Sequence, residues 1–359
     1  MKMFPFFCQK QVQKSFAKSL IEFKQTSVMQ RLSLFGLTLF SCKLKQKKVL
    51  KVLGIPIWFH DRTNDFFDYL SENIESGHDH VYILRHNIGE TFIYLSYLKS
   101  WIRSNKSQKP LIIVWREKDV SLYKMFLDSD CSSQFLFIPH GDHNIFLRKK
   151  SFDFNGMRFF TPTYQVAENL KIEYQSNPKT NFHDFILQNM GVALDTEPSN
   201  FPRVSKEVVN HVLNQVQSWS VGDRPIALLL PLANSLEELP VTFWGDLCQK
   251  LRSNNYYVVV NSEHPIQGIE ADKFYWGNIE EVYQLASQSK KIISLASGIG
   301  VLLSSIGVPI TLLYTDFRNK KIGYDSDLAL KIYSVKHLKL KSYSHIKEID
   351  MSREKTIDI

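Results

Sequence analysis

The residues of this chain best placed to handle an anion lie in the run KKIISLASGIGVLLSSIGVPITLLYT, residues 290–315. An apolar strand ends near Ala296, Ser297 is positioned to cap a helix, and Gly298, Ile299 and Gly300 form its first turn. Unpaired N–H groups of such a turn, reinforced by the helix dipole and unshielded by side chains at the glycines, suit a diphosphate. The same residues also read as an ordinary capped helix with glycines for close packing. Further polar groups follow other apolar runs: Asn234 and Ser235 after Ile226–Leu230, and Asn261, Ser262 and Glu263 after Tyr256–Val260. Gly277 precedes the pair Asn278 and Glu281, an Asn-x-x-Glu spacing that fits a capping box.

These residues need elements to hold them. From Val81 onward, short apolar runs alternate with amphipathic segments, the pattern of parallel sheets with crossover helices. Strands are predicted at Val81–Arg85, Leu111–Trp115 and Gln134–Ile138, with helices at Gly89–Ser104 and Val120–Leu127 between them. Ser151–Thr163 reads as strand and loop, and three helical segments follow up to Ser218. A second alternation opens after Pro225, with strands at Ile226–Leu230, Tyr256–Val260, Phe274–Trp276, Ile292–Leu295 and Ile310–Tyr314. Its helices are Thr242–Arg252, Asn278–Gln288 and Ile299–Ile306. The expected fold is α/β, with two Rossmann-like domains facing a cleft where the carboxyl ends of both sheets meet ligand. Residues 51–220 form the first domain and 221–330 the second, flanked by an extension over 1–50 and a tail over 331–359.

Charge is divided unevenly along the 359 residues. Of 44 Lys and Arg, 11 fall in the first 51 residues beside the single acid Glu22, while the 33 basic and 35 acidic residues of the remainder nearly cancel. A basic field at one end argues against a nucleic-acid groove and for a surface-attaching extension. Val12, Phe16, Leu20 and Phe23 recur at helical spacing opposite Lys10, Lys14, Lys18 and Lys24, which predicts a basic amphipathic helix lying on an anionic membrane, packed on the protein's own body or bound to a partner protein. The apolar stretch Leu32–Cys42 is too short to cross ~30 Å of hydrocarbon and too far from Met1 for a usual signal peptide. Cys8, Cys42, Cys131 and Cys248 make no C-x-x-C pair, so a reduced cytoplasmic setting is expected, at the inner face of the cytoplasmic membrane.

The segment Lys290–Thr315 resembles the carboxyl-terminal signature of GT-B glycosyltransferases of the lipopolysaccharide heptosyltransferase kind and of related bacterial surface-glycan transferases. Ala227–Ser262, ALLLPLANSLEELPVTFWGDLCQKLRSNNYYVVVNS, is similar to the same group's strand, polar loop, turn, helix and strand. The resemblance implies a nucleotide-sugar donor held at Ser297, Gly298, Ile299 and Gly300 and beside Gly277 and Asn278, with no metal and no resident cofactor; Asn234, Ser235, Asn261 and Glu263, at strand ends, are donor-side candidates that also read as plain turn residues. It also implies a catalytic base at the end of the first strand, where the family carries Gly-Asp and this chain has Gly89-Glu90. Sugar transfer to a hydroxyl needs such a carboxylate within hydrogen-bond reach of the attacking oxygen. His86 is the reserve base, and the alternative for Glu90 is a favourable acid in a helix's first turn.

The chain departs from the family in three places, one of them Leu239 where a tryptophan is usual. Ala296 stands where an acid precedes the Ser/Thr-Gly, and Glu237 or Glu238 stands where a lysine is usual, so an acidic sugar contact and a cationic phosphate clamp are both missing. His140 and His143 follow the third strand and are expected on the acceptor side; His140-Gly141 also keeps open a CDP-polyol phosphotransferase. The histidines His78, His80, His140 and His143 cluster in two places, but the H-x-x-H spacing of His140 and His143 is loose for a metal site, and the Asp-x-Asp pairs Asp128/Asp130 and Asp325/Asp327 read as solvated turn residues. No P-loop, G-x-S-x-G or H-E-x-x-H is present. The resemblance thus implies a metal-independent glycosyltransferase moving a sugar from a nucleotide donor to a hydroxyl of a surface glycan or lipid-linked precursor. A catalytically degenerate nucleotide-sugar-binding protein is the rival.

Overall fold

A computed structural model describes residues 21–25, 29–34, 37–43, 47–52, 55–61, 72, 74, 77–84, 87–114, 120–126, 134–137, 151–154, 156–160, 166–320, 323–340, 344–354 and 357. The chain forms two compact units, Met1–Ser76 with Gly141–Phe146, and Gly77–His140 with Leu147–Ile359.

In the first unit, five strands form an antiparallel sheet in chain order: β1 (Ile21–Gln25), β2 (Met29–Leu34), β3 (Leu37–Lys43), β4 (Lys47–Val52) and β5 (Ile55–Asp61). Ile21 pairs with Leu34, Met29 with Lys43 and Lys47 with Asp61. This corrects the expected helical extension for residues 21–50. Arg31-Leu32-Ser33-Leu34 alternates polar and apolar with the period of two that suits a strand, and connections of two or three residues favour antiparallel neighbours over a helix. Val12, Phe16 and Leu20 lie outside the described residues.

The second unit holds two sheets. The first has the order β8-β7-β6-β10-β9, built from β6 (His80–Leu84), β7 (Pro110–Val114), β8 (Gln134–Phe137), β9 (Ser151–Phe154) and β10 (Met157–Phe160). All its pairs are parallel except the β9–β10 hairpin. Its helices are α1 (Ile88–Ser96), α2 (Leu98–Ser104), α3 (Val120–Lys124), α4 (Val166–Ser176), α5 (Phe182–Met190) and α6 (Lys206–Ser218). The helix predicted over 89–104 is broken at Tyr97 (φ −107°, ψ 7°). The Ser96 carbonyl accepts the amides of Ser199 and Asn200 at 3.0 and 3.2 Å, and the Ser96 hydroxyl donates to the Phe92 carbonyl at 2.8 Å, a back-bond that bends helices.

The second sheet is wholly parallel, in the order β13-β12-β11-β14-β15-β16. Its strands are β11 (Ile226–Leu230), β12 (Tyr257–Asn261), β13 (Lys273–Tyr275), β14 (Lys291–Leu295), β15 (Ile310–Tyr314) and β16 (Ile346–Asp350), with helices α7 (Val241–Ser253), α8 (Ile279–Ser287), α9 (Gly298–Leu303) and α10 (Ser326–Tyr333). Every residue of β11 is buried, as expected where helices cover both faces. Ala227, Leu229, Val258 and Ile293 face the Trp244, Leu247 and Leu251 stripe of α7, each buried Leu, Val or Ile stabilising by about 1.5–3 kcal/mol. Leu228, Val259, Ile292 and Leu312 belong to a core that continues into Phe92, Leu95 and Leu84 of the first sheet's layer.

Candidate functional site

In the second sheet the chain runs from β11 to β12 and β13 on one side, then returns to β14 on the other. The switch point therefore lies between the carboxyl ends of β11 and β14, where open α/β sheets take ligands. Residues 231–240 leave β11 there, and Ala296-Ser297 leads from β14 into α9. Ser297 is buried and extended (φ −87°, ψ 169°), and its hydroxyl accepts the Gly300 amide at 3.4 Å. A β-carbon on Gly300 would lie 2.9 Å from both Leu312 Cδ2 and Ser294 Oγ, so close packing alone requires that glycine.

Gly298 has a different neighbour. A β-carbon there would stand 2.7 Å from the Gly89 amide nitrogen and 3.2 Å from Ile88 Cβ, and one on Gly89 would stand 3.2 Å from Gly298 Cα. The starts of α1 and α9 thus touch through two glycines, which brings Glu90 and Ser297-Gly298 to one place. The Glu90 carboxylate accepts the Asn87 amide at 2.9 Å, so it caps its helix as the plain reading expected. Burial first, then Tyr324 and the negative charge of Glu90, push the Tyr333 phenol well above its ordinary value. Tyr333 packs on Phe182, Phe317 and Tyr324 at ring separations of 4.8, 5.6 and 5.5 Å. His86, His140 and His143, with Gly141 of the phosphotransferase alternative and Asp128 and Asp130, lie outside the described residues.

The polar residues of the outer strands are engaged within the fold. Asn278 Oδ1 accepts the amides of Glu280 and Glu281 at 2.9 and 3.1 Å, and Glu281 Oε2 accepts the Asn278 amide at 2.8 Å. A β-carbon on Gly277 would stand 2.7 Å from that same oxygen, so a side chain there would push the Glu281 carboxylate aside. Asn261 Nδ2 donates to the Tyr275 carbonyl at 3.1 Å. Asn234, Ser235 and Glu263 are exposed. So is Trp276, at 60%, an aromatic at the sheet's carboxyl edge that the sequence reading passed over although it stands beside Gly277.

The sequence reading also missed a strap across the sheet's edge. Leu236 and Phe317 form an antiparallel bridge, joining the loop after β11 to the loop after β15, the two strands that flank the later part of the switch through β14. The Glu237 amide donates to the Asp316 carbonyl at 2.8 Å, the Arg318 amide to the Ser235 carbonyl at 2.9 Å, and Thr315 Oγ1 to the Glu237 carbonyl at 2.7 Å. Arg318 pairs with Glu238, and Lys320 Nζ lies 2.6 Å from Glu237 and 3.5 Å from Asp316. The run Arg-Asn-Lys-Lys at 318–321 was the signal available in the sequence.

Asp325 caps α10 by accepting the Leu328 amide at 2.8 Å, and Asp327 pairs with Lys331 and Arg353. Among the described residues no group of three or more His, Cys, Asp or Glu is gathered to hold a metal. Burial pushes the Cys248 thiol up to about 12, which makes it a core residue and not a nucleophile. A cavity of about 450 Å³ beside α7, lined by Leu239, Phe243, Asp246, Lys250 and Met351, includes none of the predicted site residues. No described helix is long and apolar enough to cross a membrane.

No family model matches the chain, and no curated protein matches it. Solved structures do. A glycosyl transferase family 9 structure from Veillonella parvula is similar with a TM-score of 0.52 at 13% identity, over 78% of this chain and 90% of that one. ADP-heptose lipopolysaccharide heptosyltransferase II of E. coli is similar at 0.44 and 12%, over 76% and 90%. The iron-containing dodecameric glycosyltransferase TibC from enterotoxigenic E. coli is similar at 0.43 and 13%, over 77% and 70%. The Veillonella likeness is one of architecture, and it agrees with the α/β parallel-sheet expectation: this chain has the fold of a family 9 glycosyltransferase structure.

Proposed function

We propose that the protein is a metal-independent glycosyltransferase that moves a sugar from a nucleotide donor to a hydroxyl of a bacterial surface glycan or its lipid-linked precursor. The observation that carries this reading is the meeting of α1 and α9 through Gly89 and Gly298, which joins a carboxylate-bearing helix start to a glycine-opened one at the sheet's switch point. The fold shared with the family 9 structure supports it.

In this reading the acceptor hydroxyl loses its proton to Glu90 as its oxygen bonds to the sugar's anomeric carbon. The bond from that carbon to the diphosphate breaks, and the electron pair leaves with the nucleoside diphosphate. N–H groups at the start of α9 hold the leaving charge in a preorganised setting. Asn234, Ser235, Asn261, Glu263, Gly277 and Asn278 line the donor side through their strand-end positions, with Ser297, Ile299 and Gly300 around the phosphates. From the sequence alone, His140 and His143 are the acceptor-side candidates and His86 is the reserve base. The work takes place at the cytoplasmic face of the membrane, with the basic first 50 residues against anionic lipid.

The test is donor turnover by the purified chain across a panel of nucleotide sugars, with and without EDTA. Transfer or donor hydrolysis that survives chelation supports the reading, and activity abolished by EDTA overturns its metal-free part. The rival, a binding protein without chemistry, draws on Ala296 and on the capping duty of Glu90. It predicts nucleotide-sugar binding with no turnover.

A further inference from the structure

The loop after β15 carries Arg318 and Lys320 to the two glutamates of the loop after β11. Arg318 Nε donates to the Leu236 carbonyl at 2.6 Å, so the guanidinium is held at the crossing of the two loops while its outer edge meets Glu238. Lys320 meets Glu237 at 2.6 Å, and that hydrogen bond, followed by the charges of Glu237 and Asp316, holds its ammonium above its ordinary value. The strands on either side place these loops across the carboxyl end of β14, which delivers Ser297 and Gly298. Both cations remain accessible, with side-chain exposures of 45% and 65%. Ion pairs this exposed add little to folding stability. Their carboxylates are weak counter-ions, exchangeable for an anion of higher charge, and a guanidinium fits phosphate through paired N–H groups.

We propose that Arg318 and Lys320 are the cationic clamp for the diphosphate of a nucleotide ligand, with Glu238 and Glu237 holding them in position until the ligand arrives. The cation that the local sequence lacks at positions 237 and 238 thus comes from a loop some 80 residues away. The proposal rests on the nucleotide-sugar reading and names the residues that read its phosphates.

The test measures binding of ADP, GDP, UDP and CDP, each beside its own nucleoside, to the full chain by calorimetry. In the double variant Arg318→Gln/Lys320→Gln, the diphosphate that binds wild type best weakens by about tenfold or more, and its nucleoside binds as before. In Glu237→Gln/Glu238→Gln the diphosphate binds as well as, or better than, in wild type. Unchanged diphosphate affinity in the first variant overturns the proposal, as does an equal loss in both variants, which would make the ion pairs a loop staple only. If the double variant melts well below wild type, Lys320→Gln alone, at the more exposed position, decides on the same criteria. Wild-type protein that binds none of the four diphosphates overturns the nucleotide-sugar reading itself, and the proposal with it.

Discussion

The amide nitrogen of Gly89 lies 2.7 Å from the point that a β-carbon on Gly298 would occupy. Two helix starts separated by more than 200 residues therefore touch backbone to backbone, and neither backbone can yield as a flexible side chain would.

Gly298→Ala should destabilise the fold by about 1–3 kcal/mol through overpacking. Gly89→Ala should cost less, because its nearest obstacle, Gly298 Cα, is at 3.2 Å. Denaturant midpoints of the two variants check the order; equal midpoints at the wild-type value would mean that the helices are not in contact in solution.

Glu90→Gln should lower turnover by about 10²- to 10⁴-fold, the range for removing a general base. Its melting temperature should stay near wild type, since glutamine also serves a capping box by reaching the N-cap amide that Glu90 now binds. Full turnover in this variant would reduce Glu90 to its capping duty.

His183 is fully buried between the Tyr97 hydroxyl, 2.8 Å from Nε2, and Asp184, 3.1 Å from Nδ1. Burial holds its pKa below the ordinary 6.5 despite Asp184, with Lys339 and His337 adding in the same direction. The unfolded chain thus takes up a proton that the folded chain resists. Its stabilising contribution is complete above about pH 6.5 and is lost as pH falls toward the lowered value. Urea titrations from pH 8 to 5 should show this loss, and it should flatten in His183→Gln.

The full chain should bind vesicles containing anionic lipid and leave neutral ones free, with binding that falls as salt rises. The 11 basic residues against one acid in the first 51 positions set this expectation. Equal binding to both kinds of vesicle would remove the electrostatic argument for membrane contact.

What the sequence determined by itself was whatever depends on residues within a few positions of one another. Ile226–Leu230, Ile292–Leu295 and Ile310–Tyr314 are apolar runs bounded by breakers, and all lie in strands. The Asn278–Glu281 capping box and the Ser297 cap close over three residues and were legible for that reason. The pairing register of the amino-terminal sheet was not legible, because partners such as Lys47 and Asp61 are set by hydrogen bonding between strands and not by spacing along one strand. The break at Tyr97 depends on amides about 100 residues away taking the Ser96 carbonyl. Gly89 against Gly298, and Arg318 and Lys320 against Glu238 and Glu237, were decided only by tertiary structure. Such contacts carry no local periodicity, since bringing their ends together costs chain entropy that only burial of the shared core from Phe92 to Leu312 offsets.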